Sequence, residues 1–203
     1  MTASSSAGPV TDANPGPAGA KRATVRTMPY RVYGLDCSLT GTGVSDGADT
    51  WLVNSKGYKT DTVADRARRL LKLVAGILGE TGSPNLVVIE GPAFASVIGH
   101  MHDRSGLWWL IVAALHERQV PIAEVPPTAL KKYATGKGNA NKGAVIDATS
   151  RRFPSIETYG DDNRCDALWL AAMGHEVLGQ PLVTLPAAQR AATLGVRWPE
   201  VSR

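Results

Sequence analysis

The chain has 203 residues, 43% of them hydrophobic and 20% charged, with 22 Lys and Arg against 18 Asp and Glu, giving a net charge of +4. That size suits one domain with tails and a core that needs no disulfide staples, and two cysteines, Cys37 and Cys165, are too few for a disulfide scaffold or a Cys-based zinc site, so a reducing, cytoplasmic setting is expected. The longest unbroken apolar run, Leu107 to Leu115, is far below the roughly 18 residues of a membrane span, and no apolar signal segment opens the chain, so no membrane partner is expected.

Residues 1–27 contain no aromatic residue, Leu or Ile, and composition predicts a disordered tail there. The folded part is expected over residues 28–180. Arg31 to Asp36 reads as a strand that runs into the turn Gly41-Thr42-Gly43. A second short strand near Val44 and a third at Trp51 to Val53 complete an antiparallel meander. Apolar residues at helical spacing predict a helix over Asp61 to Leu78. Asn85 to Glu90 is a buried strand by composition, Ser105 to Arg118 a helix, and Val120 to Val125 a strand closed by Pro126-Pro127. Lys142 to Phe153 and Asp161 to Leu178 are the last helices, and residues 181–203, with three prolines, read as a loop-like tail. The order β-β-β-α-β-α-β-α-α implies an α/β fold, with a mixed five-stranded sheet and helices on its faces.

Asp36 and Glu90 each end an apolar strand, where a lone carboxylate is costly unless something positive compensates it. Asp161, Asp162 and Asp166 open the last helix, and Asp162 and Asp166, four apart, share one helix face. Acids at a helix start also serve as caps, and strand-end acids as turn residues. Together, carboxylates from two strand ends and a helix start form the oxygen-rich set that a hard divalent cation takes, at the sheet end where α/β sites usually lie. Positive charge is concentrated elsewhere: residues 131–152 carry Lys131, Lys132, Lys137, Lys142, Arg151 and Arg152 against the single acid Asp147. The loop Gly136-Lys137-Gly138-Asn139-Ala140-Asn141-Lys142 suits phosphates but lacks the spacing of a P-loop. Acids holding metal at a scissile phosphate, with lysines on flanking phosphates, describe metal-assisted phosphodiester hydrolysis.

These residues resemble the RuvC family of Holliday-junction resolvases, in the form found in bacteriophages, whose fold is ribonuclease H-like. The segments that carry the resemblance are GLDCSLTGTGV (34–44), VVIEGPAFAS (87–96), TALKKYATGKGNANKGAV (128–145) and DDNRCDALWLA (161–171). The resemblance implies a ribonuclease H-like sheet with helices on both faces. It implies a homodimer that binds four-way DNA junctions and makes paired, symmetric nicks with 5′-phosphate and 3′-hydroxyl ends, using Mg²⁺ or Mn²⁺. By position, Asp36, Glu90 and Asp166 match the family's metal-binding acids and Lys142 a basic residue near the scissile phosphate. Where the cellular family often has a further acid, this chain has Asn163. Asp162 is assigned as the ligand instead, with Asp161 as the fallback. Lys131, Lys132, Lys137, Asn139 and Lys142 are expected to contact DNA, and Phe94 stands near a junction-wedging Phe of the cellular enzymes.

Leu107 to Leu115 is apolar around its whole circumference, which predicts a helix buried on two sides, with Trp108 or Trp109 in a dimer interface. His100 and His102 lack a third metal ligand and read as part of a surface loop that touches DNA or a partner. Three other functions compete with junction cleavage. They are a ribonuclease H-like nuclease for another branched or RNA-containing substrate, a nucleic-acid-binding module without catalysis, and a phosphate-binding ATPase suggested by Ser38 to Thr42 after Asp36.

Overall fold

The computed structural model describes residues 30–92 and 101–202. The disordered-tail expectation for residues 1–27, and the residues Phe94 and His100, lie outside the described residues. Strands β1 (Val32–Asp36), β2 (Gly41–Ser45), β3 (Thr50–Asn54), β4 (Leu86–Glu90) and β5 (Ile122–Val125) form one sheet in the order β3-β2-β1-β4-β5. β1, β2 and β3 pair antiparallel, while β4 runs parallel to both β1 and β5. The mixed five-stranded sheet expected from the element order is the one observed.

Helices α1 (Val63–Thr81) and α2 (Met101–Glu117) cover one face, and α5 (Asp162–Val177) the other. Side-chain alternation sorts the core between them. Tyr33, Leu35, Val87 and Ile89 pack with α1 and α2, whereas Val32, Leu86 and Val88 pack with α5. Thr62 and Asp65 close a capping box at the start of α1. The side chain of Asp161 accepts from the Arg164 backbone N–H and caps α5.

α5 lies directly on the backbone of the sheet. A Cβ on Gly34 would stand 2.0 Å from the Ala167 carbonyl oxygen, and one on Gly43 would stand 2.0 Å from the Asn163 carbonyl oxygen. The missing side chains let the helix approach β1 and β2 this closely. Asn163 secures the contact by donating from Nδ2 to the Gly41 carbonyl at 2.8 Å.

Three expectations need correction. Helix α3 (Pro127–Thr135) follows β5 where only a strand terminator was read; Pro127 lies in its first turn and Gly136 closes it at φ 85°. Proline fits a helix start as readily as it ends a strand. The C-terminal segment is not loop-like throughout: it forms α6 (Ala187–Arg190) and a 3₁₀ turn (Ala191–Gly195), and buries Leu185, Ala192 and Val196 in the core on the α5 side. It is held by Gln189 Nε2, which donates to the carbonyls of Tyr133 and Ala134, and by Arg190, which pairs with Glu176. His102 lies in the first turn of α2 rather than in a loop. Helix α4 (Lys142–Arg152) matches its expected span to within a residue.

Among the described residues no helix is long and apolar enough to cross a membrane.

Candidate active site

β1 and β4 pair through Val32–Leu86, Tyr33–Val87, Gly34–Val88 and Leu35–Ile89. Asp36 and Glu90 follow directly, as the last residues of the two strands. Leu35 and Ile89 face α1 and α2, so alternation turns both acids toward α5. There they meet the first two turns of that helix, where Asp162 and Asp166 stand four residues apart on one side. Strand register thus aligns one pair of carboxylates and helix periodicity the other. The close seat of α5 on Gly34 and Gly43 brings the pairs together.

The electrostatics record this convergence. Asp36 is 8% exposed, and its carboxyl is held well above the ordinary carboxylate range, first by burial, then by the charge of Glu90, a hydrogen bond with Glu90 and the charge of Asp162. Burial and the charge of Asp166 lift Glu90 to about 7. Burial, then the charges of Asp36 and Asp162, lift Asp166 to about 7. Lys131 and Lys142 oppose the rise at both Glu90 and Asp166. Lys142 forms an ion pair with Asp162, which raises the lysine pKa. Asp161 is engaged as the helix cap, so Asp162 is the acid of that pair that joins the cluster.

All four acids and two of the lysines picked from the sequence therefore converge. Lys132 is exposed on α3, and Lys137 and Asn139 sit farther out, lining a groove of about 810 Å³ together with Asn141, Arg151 and Arg152. Trp108 is buried among the α1 and α2 residues and donates from Nε1 to the Glu90 carbonyl at 2.9 Å. It is not available for a dimer interface and instead steadies the end of β4. Trp109 is 64% exposed. Nothing in the sequence distinguishes the two, because the whole run is apolar. Burial and the charges of Asp36 and Glu90 push the Cys37 thiol well up, and burial raises that of Cys165, so neither is a ready thiolate.

Among the described residues, no three Asp, Glu, His or Cys side chains stand close enough, as placed, to hold a metal ion. The chemistry of the donors nonetheless fits a hard divalent cation. The side-chain donors are oxygen only, half-buried or buried, and each of the three with a raised pKa is raised partly by its acidic neighbours, a repulsion that a cation relieves.

No family model matches the chain. The crossover junction endodeoxyribonuclease RuvC of Synechococcus sp. (strain WH7803) is 27% identical over 154 residues, which cover 71% of this chain and 97% of the relative. RuvC of Porphyromonas gingivalis (strain ATCC BAA-308 / W83) is 29% identical over 119 residues, covering 58% of this chain and 62% of that one. The solved structure of Thermus thermophilus RuvC superposes with a TM-score of 0.54 at 22% identity, covering 73% of this chain and 96% of the other. The same protein in complex with a Holliday junction substrate gives a TM-score of 0.53 at 19% identity, with the same coverage. The chain is thus similar in sequence to crossover junction endodeoxyribonucleases named RuvC, over nearly the whole length of one of them, and it shares its fold with Thermus thermophilus RuvC.

Proposed function

We propose that this chain is a metal-dependent endonuclease that resolves four-way DNA junctions by phosphodiester hydrolysis, leaving 5′-phosphate and 3′-hydroxyl ends. One observation carries the reading. Four carboxylates from β1, β4 and α5 converge beside two lysines, at the carboxyl ends of parallel strands, in a chain that resembles RuvC over 97% of the length of one relative. A non-catalytic DNA-binding module has no need of such a cluster, because buried like charges cost stability.

In this reading Asp36, Glu90, Asp162 and Asp166 hold Mg²⁺, or Mn²⁺ in its place. When bound, the ion supplies charge neutralisation at the scissile phosphate and acidifies a ligated water. The chain's own residues do the rest. Lys142 leaves Asp162 to meet a phosphate oxygen, and Lys131 balances the carboxylates from the other side. Glu90 and Asp166, each raised partly by a neighbouring acid in the metal-free chain, would be held ionised by the bound cation. Lys132, Lys137 and Asn139 bind flanking phosphates.

Paired symmetric nicks need two such centres, and the exposed Trp109, with Leu110 and Met101 on the same helix, is the apolar surface that would join two copies. The test is cleavage of a panel of branched and linear DNAs by the purified chain. Symmetric nicking of the four-way junction only when Mg²⁺ is present supports the reading. Metal-independent cleavage, or none on any branch, contradicts it.

A further inference from the structure

Between Asn54 and Lys72 the chain carries six basic residues and two acidic ones. This stretch is the β3–α1 loop (residues 55–62) and the first half of α1, and the loop leaves the sheet at the same end as the carboxylates. Asp36 pairs with Gly43, and Gly43 with Leu52. β1 and β3 both run against β2, so both finish at the same end of the sheet. The loop after Asn54 thus leaves about 10 Å to the side of Asp36, two strand spacings away.

The loop is fixed in place. Arg69 donates from Nε to Ser55 Oγ at 2.8 Å and from Nη2 to the Leu39 carbonyl, in the turn three residues beyond Asp36. Gly57 lies against that guanidinium, where an added Cβ would stand 2.0 Å from Nη1. Asp61 accepts from the Tyr58 N–H at 2.8 Å. Two further cations are engaged within the molecule, Arg66 with Asp103 and Arg68 with Asp65. Lys56, Lys59 and Lys72 are exposed and form no ion pair among the described residues. Between the first two stands Tyr58, 60% exposed, with Lys56 Nζ 5.2 Å from its ring centroid.

We infer that the β3–α1 loop and the exposed side of α1 form a second DNA-backbone surface, on which Lys56, Lys59 and Lys72 hold phosphates of the duplex arm that leaves the carboxylates on the β3 side. The inference rests on the junction-cleaving reading above and adds to it. The first basic surface follows β5, at the opposite edge of the sheet. The acids therefore lie between two cationic flanks, and a polyanion that reaches them from the β5 side continues over the β3 side. The three lysines are strongly hydrated point charges on an anchored loop and helix, suited to phosphate oxygens rather than to base edges.

The full chain carrying Lys56→Ala, Lys59→Ala and Lys72→Ala is compared with the parent for four-way junction binding by fluorescence anisotropy, from 50 to 200 mM salt, without divalent cation. Circular dichroism melting checks the fold, which surface lysines leave unchanged. The expected result is a salt slope lower by nearly three units, about 0.9 for each lost phosphate contact, and an affinity reduced at least tenfold at the lowest salt. Parent-like slope and affinity would overturn the inference. A Lys137→Ala and Lys142→Ala chain is measured alongside. If that chain binds weakly while the triple variant binds like the parent, the second surface is refuted and the junction reading stands. If the parent itself ignores junctions, both fail.

Discussion

Asp36 and Glu90 end the neighbouring parallel strands β1 and β4, one residue beyond the Leu35–Ile89 rung, and the charge of Glu90 is among the causes that hold the Asp36 carboxyl well above the ordinary range. Two buried acids side by side are unfavourable unless a proton or a cation lies between them. Glu90→Gln removes one charge and keeps the shape. Without divalent metal this variant is expected to be more stable than the parent, on the order of 1–3 kcal/mol, and to have lost cleavage. Urea melts in a chelator, with a junction-cleavage assay, check both. A destabilised variant would contradict the electrostatic description.

The same strain sets a pH dependence. Glu90 and Asp166 titrate at about 7 in the folded chain and in the ordinary carboxylate range when unfolded. Between those limits the folded state binds protons that the unfolded state has released. Stability therefore falls as pH rises from about 4.5 to about 7, and levels off above. Melts in a chelator at pH 5, 6, 7 and 8 should show the decline. Millimolar Mg²⁺ should flatten it by replacing the protons. A stability that rises across that window would be inconsistent with these shifts.

The seat of α5 depends on two glycines. Gly34→Ala puts a methyl into the Ala167 backbone, at a cost of about 3 kcal/mol or more, and lifts Asp162 and Asp166 away from Asp36. Gly79→Ala, with nothing within 4 Å of the new methyl and lying inside α1, should stabilise by about 0.5–1 kcal/mol. Thermal melting of the two variants in parallel separates a packing clash from a general effect of alanine.

Lys142→Ala frees Asp162 from its ion pair and removes a phosphate partner. Cleavage should fall by about 10²–10³-fold, with the melting temperature nearly unchanged, because the lysine is largely exposed. Single-turnover kinetics on a four-way junction measures it.

Trp109→Glu puts a charge on the exposed apolar side of α2 and should convert a dimer to monomers in light scattering, whereas Trp108→Ala should chiefly destabilise the protomer. A Trp109→Glu chain that stays dimeric would exclude this helix face.

Much of this was legible in the residues. Apolar runs ending in Asp36 and Glu90 announce strands that deliver acids to one edge, and four-residue spacing aligns Asp162 with Asp166. Which of Asp161 and Asp162 joins the cluster is decided by capping: the N-cap side chain bends back to the Arg164 N–H, while Asp162 pairs with Lys142 and its charge acts on Asp36 and Asp166. The distinction between Trp108 and Trp109 depends on packing against α1 and β4, which periodicity in a fully apolar helix cannot express. The C-terminal segment looks unstructured because its anchors, Gln189 on the α3 carbonyls and Arg190 on Glu176, are tertiary contacts between residues far apart in sequence. Helix α3 was hidden by prolines that serve equally as an end and a beginning.

The most direct test of the carboxylate centre is Asp36→Asn, assayed for junction binding and for Mg²⁺-dependent cleavage in the same preparation. Binding at parental affinity with no detectable cleavage is the predicted result. Cleavage at the parental rate would show that the bond is broken elsewhere on the molecule.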